Sequence, residues 1–214
     1  MHVWTYWEGE SWPHIDLCLE TATRRLALTN VEFHLLAPET VEGYLSPGLL
    51  HERYKEIPQI GPKVSAIRAA LLAKYGGWWW DADTIVLRSP EKLMQKYPNA
   101  NVLYMTWTRL PLRILNGYIY AKAGSEPALL WLERINYLLE HDFETATKWL
   151  ELGEKVITPL FRDRLDCVEV DRRLFLPIDF DTDPYVFFRE GDFRDYLRDD
   201  ALQRLKEQLR LVVR

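Results

Sequence analysis

The stretch "KVSAIRAALLAKYGGWWWDADTIVL", residues 63–87, sets an apolar segment, a double glycine, three tryptophans and two aspartates in direct succession. Val64, Ile67, Leu71, Leu72 and Tyr75 recur at steps of three and four, the spacing of one helix face, which predicts a helix from about Pro62 to Tyr75. Gly76 and Gly77 end it, because glycine just past a helix adopts backbone angles that close the last turn. "WWW" then reads as a short strand with Trp78 and Trp80 on one face and Trp79 on the other, all three suited to a core. A helix, a glycine stop and a strand make an α/β crossover, and such sheets hold ligands beyond the carboxyl ends of their strands. Asp81 and Asp83 fall at that end.

The rest of the chain repeats the alternation. "HVWTYW" (2–7) reads as a first strand, followed by a helix capped by Ser11, with Pro13 in its first turn and Ile15, Cys18, Leu19, Ala22 and Leu26 at helical spacing. "VEFHLLA" (31–37) is a second strand, and "PETVEGYLSPG" (38–48), rich in turn residues, reads as a loop. "NVLYMTW" (101–107) and "GYIYAKA" (117–123) are expected strands, 127–140 a helix and "VITPLFRDRL" (156–165) a helical segment. "CVEVD" and "RLFLPI" are expected short strands, and 192–213 a charged amphipathic helix. No repeat or low-complexity linker divides the chain. The expectation is one mixed α/β domain over 1–214.

Composition narrows the chemistry. Hydrophobic residues make up 48% and aromatics 13% of 214 residues, enough for a full core. The formal charge of -5 disfavours a broad phosphate-binding face, so no nucleic-acid partner is expected and an anionic ligand needs local help such as a metal. Cys18 and Cys167 lack metal-site or disulfide spacing and read as buried thiols. No apolar run approaches the roughly 20 residues of a membrane span and no leader pattern opens the chain, which gives a cytoplasmic expectation.

The aspartate spacing by itself says little, because 14 Asp in this length yield about one Asp-x-Asp by chance, and Asp179, Asp181 and Asp183 supply two more. An aspartate at a strand end also simply caps a turn, and Arg68 on its helix has the alternative of snorkelling to solvent. Context gives the pair a further reading. Two same-side carboxylates at a strand tip can hold one hard divalent cation, leaving its other positions to water and a diphosphate. His34 reads as a partly buried strand residue, and no histidine has the Ser or Cys partner of a nucleophile triad.

Residues 63–87 resemble the DXD sugar-binding region of GT-A glycosyltransferases, particularly the retaining, family 32-like enzymes of capsular-polysaccharide synthesis and mannosyl transfer. Arg68, Leu72, Gly76, Gly77, Asp81 and Asp83 fill that pattern. "VWTYWEG" (3–9) is similar to the family's first strand and Trp-rich loop, and "LNGYIYAKAGSEP" (115–127) to its Asn-containing acceptor-side strand. The resemblance implies a GT-A-like, Rossmann-like mixed sheet flanked by helices, and a metal-dependent hexosyltransferase acting on a nucleotide-sugar donor and a glycan or lipid-linked acceptor. It implies that Asp83, with Asp81 close by, binds Mn2+ or Mg2+, that Asp81 contacts the donor ribose or sugar, and that Arg68 steadies the sugar or phosphates. Trp4 and Trp7 would line the nucleotide pocket, and Asn116 and Gly117 would lie near the transferred sugar, with 1–125 the nucleotide-sugar and metal-binding part and 126–214 the acceptor-side and C-terminal helical part. Where the family carries Asp three residues before the Arg, this chain has Ser65, a shortened donor-sugar contact. Asp181 or Asp183 is the candidate C-terminal metal ligand. Two rival readings differ in class. One is a non-catalytic nucleotide- or sugar-binding module, which Ser65 keeps open. The other is a haloacid-dehalogenase-type phosphatase, whose motif departs at Ile85, where Thr or Val is usual.

Overall fold

Residues 1–10, 12–86, 88–106 and 113–171 are described by a computed structural model. The expected Ser11 cap, the strand in "RLFLPI", the helix over 192–213 and the candidate ligands Asp181 and Asp183 lie outside the described residues. The chain runs β1 (His2–Tyr6), α1 (Pro13–Leu26), β2 (Glu32–Leu36), α2 (Pro38–Val41), a 3-10 turn (Glu52–Glu56), α3 (Ile60–Tyr75) and β3 (Gly77–Trp80). It continues through α4 (Glu91–Lys96), β4 (Val102–Thr106), β5 (Ile114–Ala121), α5 (Glu126–His141), α6 (Phe143–Ala146), α7 (Glu154–Phe161) and β6 (Cys167–Glu169). The segment 38–48 is not wholly a loop, because Pro38, with its φ preset for a helix start, opens the short helix α2 before the turns begin.

The six strands form one mixed sheet in the order β2-β1-β3-β5-β4-β6. β1 pairs in parallel with both β2 and β3, β5 runs antiparallel to both β3 and β4, and β6 is parallel to β4. The chain leaves β1 for β2 on one side and returns through α3 to β3 on the other. β1 is thus the point where strand order reverses, and the crevice between the loops after β1 and β3 is where open α/β sheets bind ligands.

The two sheet faces carry separate cores, and the tryptophan alternation decides which residue joins which. Trp78 and Trp80 pack with Ala22 and Leu26 of α1 on one face. Trp4 and Trp79 pack with α3, α5 and α7 on the other. α3 is not the one-sided amphipathic helix its apolar spacing suggests. Ala66, Ile67, Arg68, Ala69, Ala70, Leu71 and Leu72 are all buried, because the helix lies between the sheet and α5 and its alanines permit close approach on several sides. It also begins two residues earlier than expected, at Ile60.

The double glycine is required by angle and by space. Gly76 has φ +66 and Gly77 φ +102, a region L side chains rarely adopt. A Cβ on Gly76 would stand 2.5 Å from the Ala123 backbone nitrogen, and one on Gly77 2.4 Å from the His2 carbonyl oxygen. The helix-to-strand turn is therefore pressed against β1 on one side and the turn after β5 on the other.

Candidate functional site

Asp81 is the first residue beyond β3, and four parts of the chain fix it. Its backbone N–H donates to the Gly117 carbonyl of β5 at 3.0 Å, and its own carbonyl accepts from Thr84 N at 3.1 Å, closing the turn that carries Asp83. Its Oδ1 accepts two hydrogen bonds, from Arg68 Nη2 at 2.7 Å and from the Trp79 indole Nε1 at 2.8 Å. Strand alternation explains the second bond, since residues two apart share a face and the Trp79 indole reaches along the strand to Asp81. Gly117 supplies the space on the other side, where a Cβ would lie 2.5 Å from Asp81 Oδ2.

Arg68 does not snorkel. It is 3% exposed, its guanidinium lies over the Trp79 ring at 4.8 Å, and its Nε and Nη1 have no hydrogen-bond partner among the described residues. Burial pushes its proton affinity down, and the charges of Asp81 and Glu154 push it back up. An arginine stays charged in such surroundings, so Arg68 is a fixed cation beneath the carboxylate. Glu154, in the first turn of α7, is itself 4% exposed. The Asp81 side chain is 42% exposed, so the pair has one dry end and one wet end.

Asp83 has protein around much of its side chain yet remains open to water, which marks a recess and not a sealed cavity. That crowding, followed by the Asp81 charge, raises its pKa to about 6. Cys18 on α1, pushed up to about 12 by burial and by Asp83, and Tyr118 on β5, raised by burial and by Asp83, line the same recess. Two carboxylates two residues apart at one strand tip suit a divalent cation by the chemistry of the donor set.

Ser65 and Asn116, from separate segments, meet. Asn116 Nδ2 donates to Ser65 Oγ at 3.3 Å, and Ser65 Oγ donates to the Gly61 carbonyl at 3.1 Å. Gly153, at the start of α7, allows this, since a Cβ there would come within 2.1 Å of Asn116 Nδ2. Ser65 stands one helical turn before Arg68, which puts both on one side of α3.

The two tryptophans expected at the nucleotide pocket part company. Trp7 is half-buried in the loop after β1, at the carboxyl edge of the sheet, with its indole donating to the Glu10 carbonyl at 3.2 Å. Beside it Glu8 accepts from Lys63 at 3.1 Å and from the Tyr6 hydroxyl at 2.5 Å, tying that loop to the first turn of α3. Trp4 is instead 1% exposed, and its indole donates to the Gly76 carbonyl at 2.8 Å, at the amino end of β3. The structure makes Trp4 a core residue directed away from the aspartates. Trp79, Glu8, Lys63, Tyr118 and Glu154 were not among the expected site residues. Only Trp79 had a signal, its place two residues before Asp81 on the same strand face. The surface hollows along α5, lined by residues such as Leu129 and Tyr137, include none of these groups.

No protein-family model and no curated sequence matches the chain. Among solved structures, it is similar to the PaToxG glycosyltransferase with a TM-score of 0.55 and 13% identity, over 77% of this chain and 69% of that one. The fold is similar to a glycosyltransferase fold. At that identity the likeness speaks for architecture, and the chemistry rests on the residues. No helix among the described residues is long and apolar enough to cross a membrane.

Proposed function

We propose that this protein is a GT-A-like glycosyltransferase that moves a sugar from a nucleotide-diphosphate donor to a glycan or lipid-linked acceptor, with retention of configuration. The observation that carries this reading is Asp81, locked by Arg68 and Trp79 at the carboxyl end of β3 and beside the recessed Asp83. The strand-order reversal at β1 sets the donor crevice between that turn and the loop bearing Trp7. Trp7 offers a ring for the base. Asp81 has committed Oδ1 inward, which leaves Oδ2 for a donor hydroxyl.

Asp83 with Asp81 would hold Mn2+ or Mg2+, which when bound supplies a Lewis acid that neutralises the donor diphosphate and stabilises it as a leaving group. Arg68 adds a fixed positive charge that needs no reorganisation during reaction. Asn116, joined to Ser65, orients the sugar from the β5 side. Transfer of this kind depends on positioning and leaving-group stabilisation, so it asks for no triad nucleophile.

A second reading, a binding module without turnover, draws on Ser65, whose hydroxyl is spent on Gly61 where the family places a carboxylate. The phosphatase reading rests on the Asp-x-Asp spacing alone, and its motif departs from this chain at Ile85. The test is a thermal-shift screen of nucleoside diphosphates with and without Mn2+, on the wild type and on Asp83→Ala. Metal-dependent stabilisation by a nucleotide, lost in the variant, is expected. If no nucleotide stabilises the wild type in a metal-dependent way, the reading fails. Binding without turnover on any acceptor selects the second reading.

A further inference from the structure

At the amino-end side of the parallel strands, away from the aspartates, the register of β1 and β2 brings two imidazoles and a carboxylate together. His2 lies opposite Glu32, and Trp4 opposite His34, so the two-residue alternation puts all four side chains on one face. His2 Nδ1 is 3.0 Å from His34 Nε2 and 3.2 Å from Glu32 Oε2, and His34 Nε2 is 3.8 Å from Glu32 Oε2. Ligands bound to zinc at tetrahedral geometry stand about 3.3 Å apart, given bonds of about 2.0–2.1 Å. The three atoms already form a triangle of that size.

The surroundings hold the triangle in place. His34 stacks on Trp4 with ring centres 4.1 Å apart at 17°, and His2 stacks on the same indole at 5.1 Å. The Tyr44 hydroxyl lies 3.3 Å from His34 Nδ1. A proton on Nδ1, donated to that hydroxyl, leaves the Nε2 lone pair facing the triangle, the arrangement by which outer partners orient metal-binding histidines. Glu32 is 64% exposed, so the fourth position opens to water.

We propose that His2, Glu32 and His34 form a binding site for one zinc-like divalent ion, which clamps the edge strand β2 to β1. Imidazole-rich ligation selects a borderline metal, whereas the all-oxygen pair Asp81 and Asp83 suits Mg2+ or Mn2+. The site is independent of the proposed transferase reaction and stands whether or not that reading holds.

Tag-free protein stripped with a chelator is titrated with Co2+, whose visible absorption reports low-coordinate geometry, and then with Zn2+. One equivalent of Co2+ is expected to give the intense tetrahedral-type band, Zn2+ to displace it one for one, and Zn2+ to raise Tm. Asp83→Asn, which leaves the Arg68–Asp81 pair intact, should give the same Co2+ band as wild type. Glu32→Gln, on an exposed edge where folding is safe, should lose the band, and Tyr44→Phe should weaken binding by about 10-fold or more. The proposal is overturned if wild type shows no band and no zinc-dependent Tm rise. It is equally overturned if Glu32→Gln and His2→Asn bind as wild type does, or if Asp83→Asn abolishes the band.

Discussion

Trp4 and Trp79 are register partners on adjacent parallel strands, share one face and one core, and are both essentially inaccessible. Their indoles nevertheless point to opposite ends of the sheet. Trp4 gives its N–H to a backbone carbonyl, Gly76, and closes a turn, whereas Trp79 gives its N–H to a side-chain carboxylate, Asp81, and holds a site. Burial and residue type are the same in both. The partner at the end of the hydrogen bond separates a structural tryptophan from one that positions a site.

The largest test removes the charge beneath the Trp79 end. Arg68→Met leaves Asp81 without its cation and Glu154 buried without that charge, and should destabilise the protein by about 3–5 kcal/mol in urea unfolding. A loss below about 1 kcal/mol would show that the buried ion pair is not the anchor. Trp79→Phe keeps an aromatic ring but loses a bond to a charged group, at about 2–3 kcal/mol, and metal-dependent nucleotide binding should weaken with it. Trp4→Phe should lose about 1–2 kcal/mol and leave nucleotide binding unchanged. Equal effects of the two variants on nucleotide affinity would erase the distinction between them.

Gly117→Ala works on Asp81 from the other side. Its Cβ would stand 2.5 Å from Asp81 Oδ2, so the held carboxylate must shift; stability should fall by about 1–2 kcal/mol while Mn2+-dependent nucleotide binding drops sharply. Thermal shifts with and without ligand separate the two effects. The smallest expected change is at Asp83, whose folded pKa of about 6 lies above its unfolded value. A raised acid pKa means the group's stabilising contribution is complete below about pH 4 and is lost as pH rises through about 6. Asp83→Asn should therefore raise metal-free stability at pH 7.5 by about 1 kcal/mol or less, after allowance for solvent screening, and flatten the profile between pH 4 and 7. A variant less stable than wild type at pH 7.5 without metal would contradict the recessed, repelled carboxylate.

Much of this fold was legible because it is local. The strand alternation assigned Trp78 and Trp80 to one core and Trp79 to the other, and the double glycine marked the turn that now shows positive φ at both positions. The expected strands at 2–7, 31–37 and 101–107 and the helix at 127–140 differ from the observed elements only at their ends. What could not be read depends on partners far along the chain. Arg68 had equal reason to reach solvent until α5, α7 and the sheet enclosed α3. The resemblance implied a place for Gly117 near the transferred sugar, but its fit against Asp81 depends on the antiparallel pairing of β5 with β3. Trp4 was expected at the nucleotide from the resemblance of 3–9 to the family's first strand, but its indole turns to the Gly76 carbonyl at the opposite end of the sheet.

The Gly76–Gly77 turn also bears on how the chain assembles. The indole that reaches Gly76 comes from 72 residues earlier, and the backbone crowding it belongs to the turn after β5. α3 can therefore form early from its own local contacts, but its exit into the sheet has its final shape only once both distant segments have docked. Such long-range closure is slow and cooperative. The turn that carries Asp81 and Asp83 follows directly from that exit, so the recess they form depends on the completed sheet.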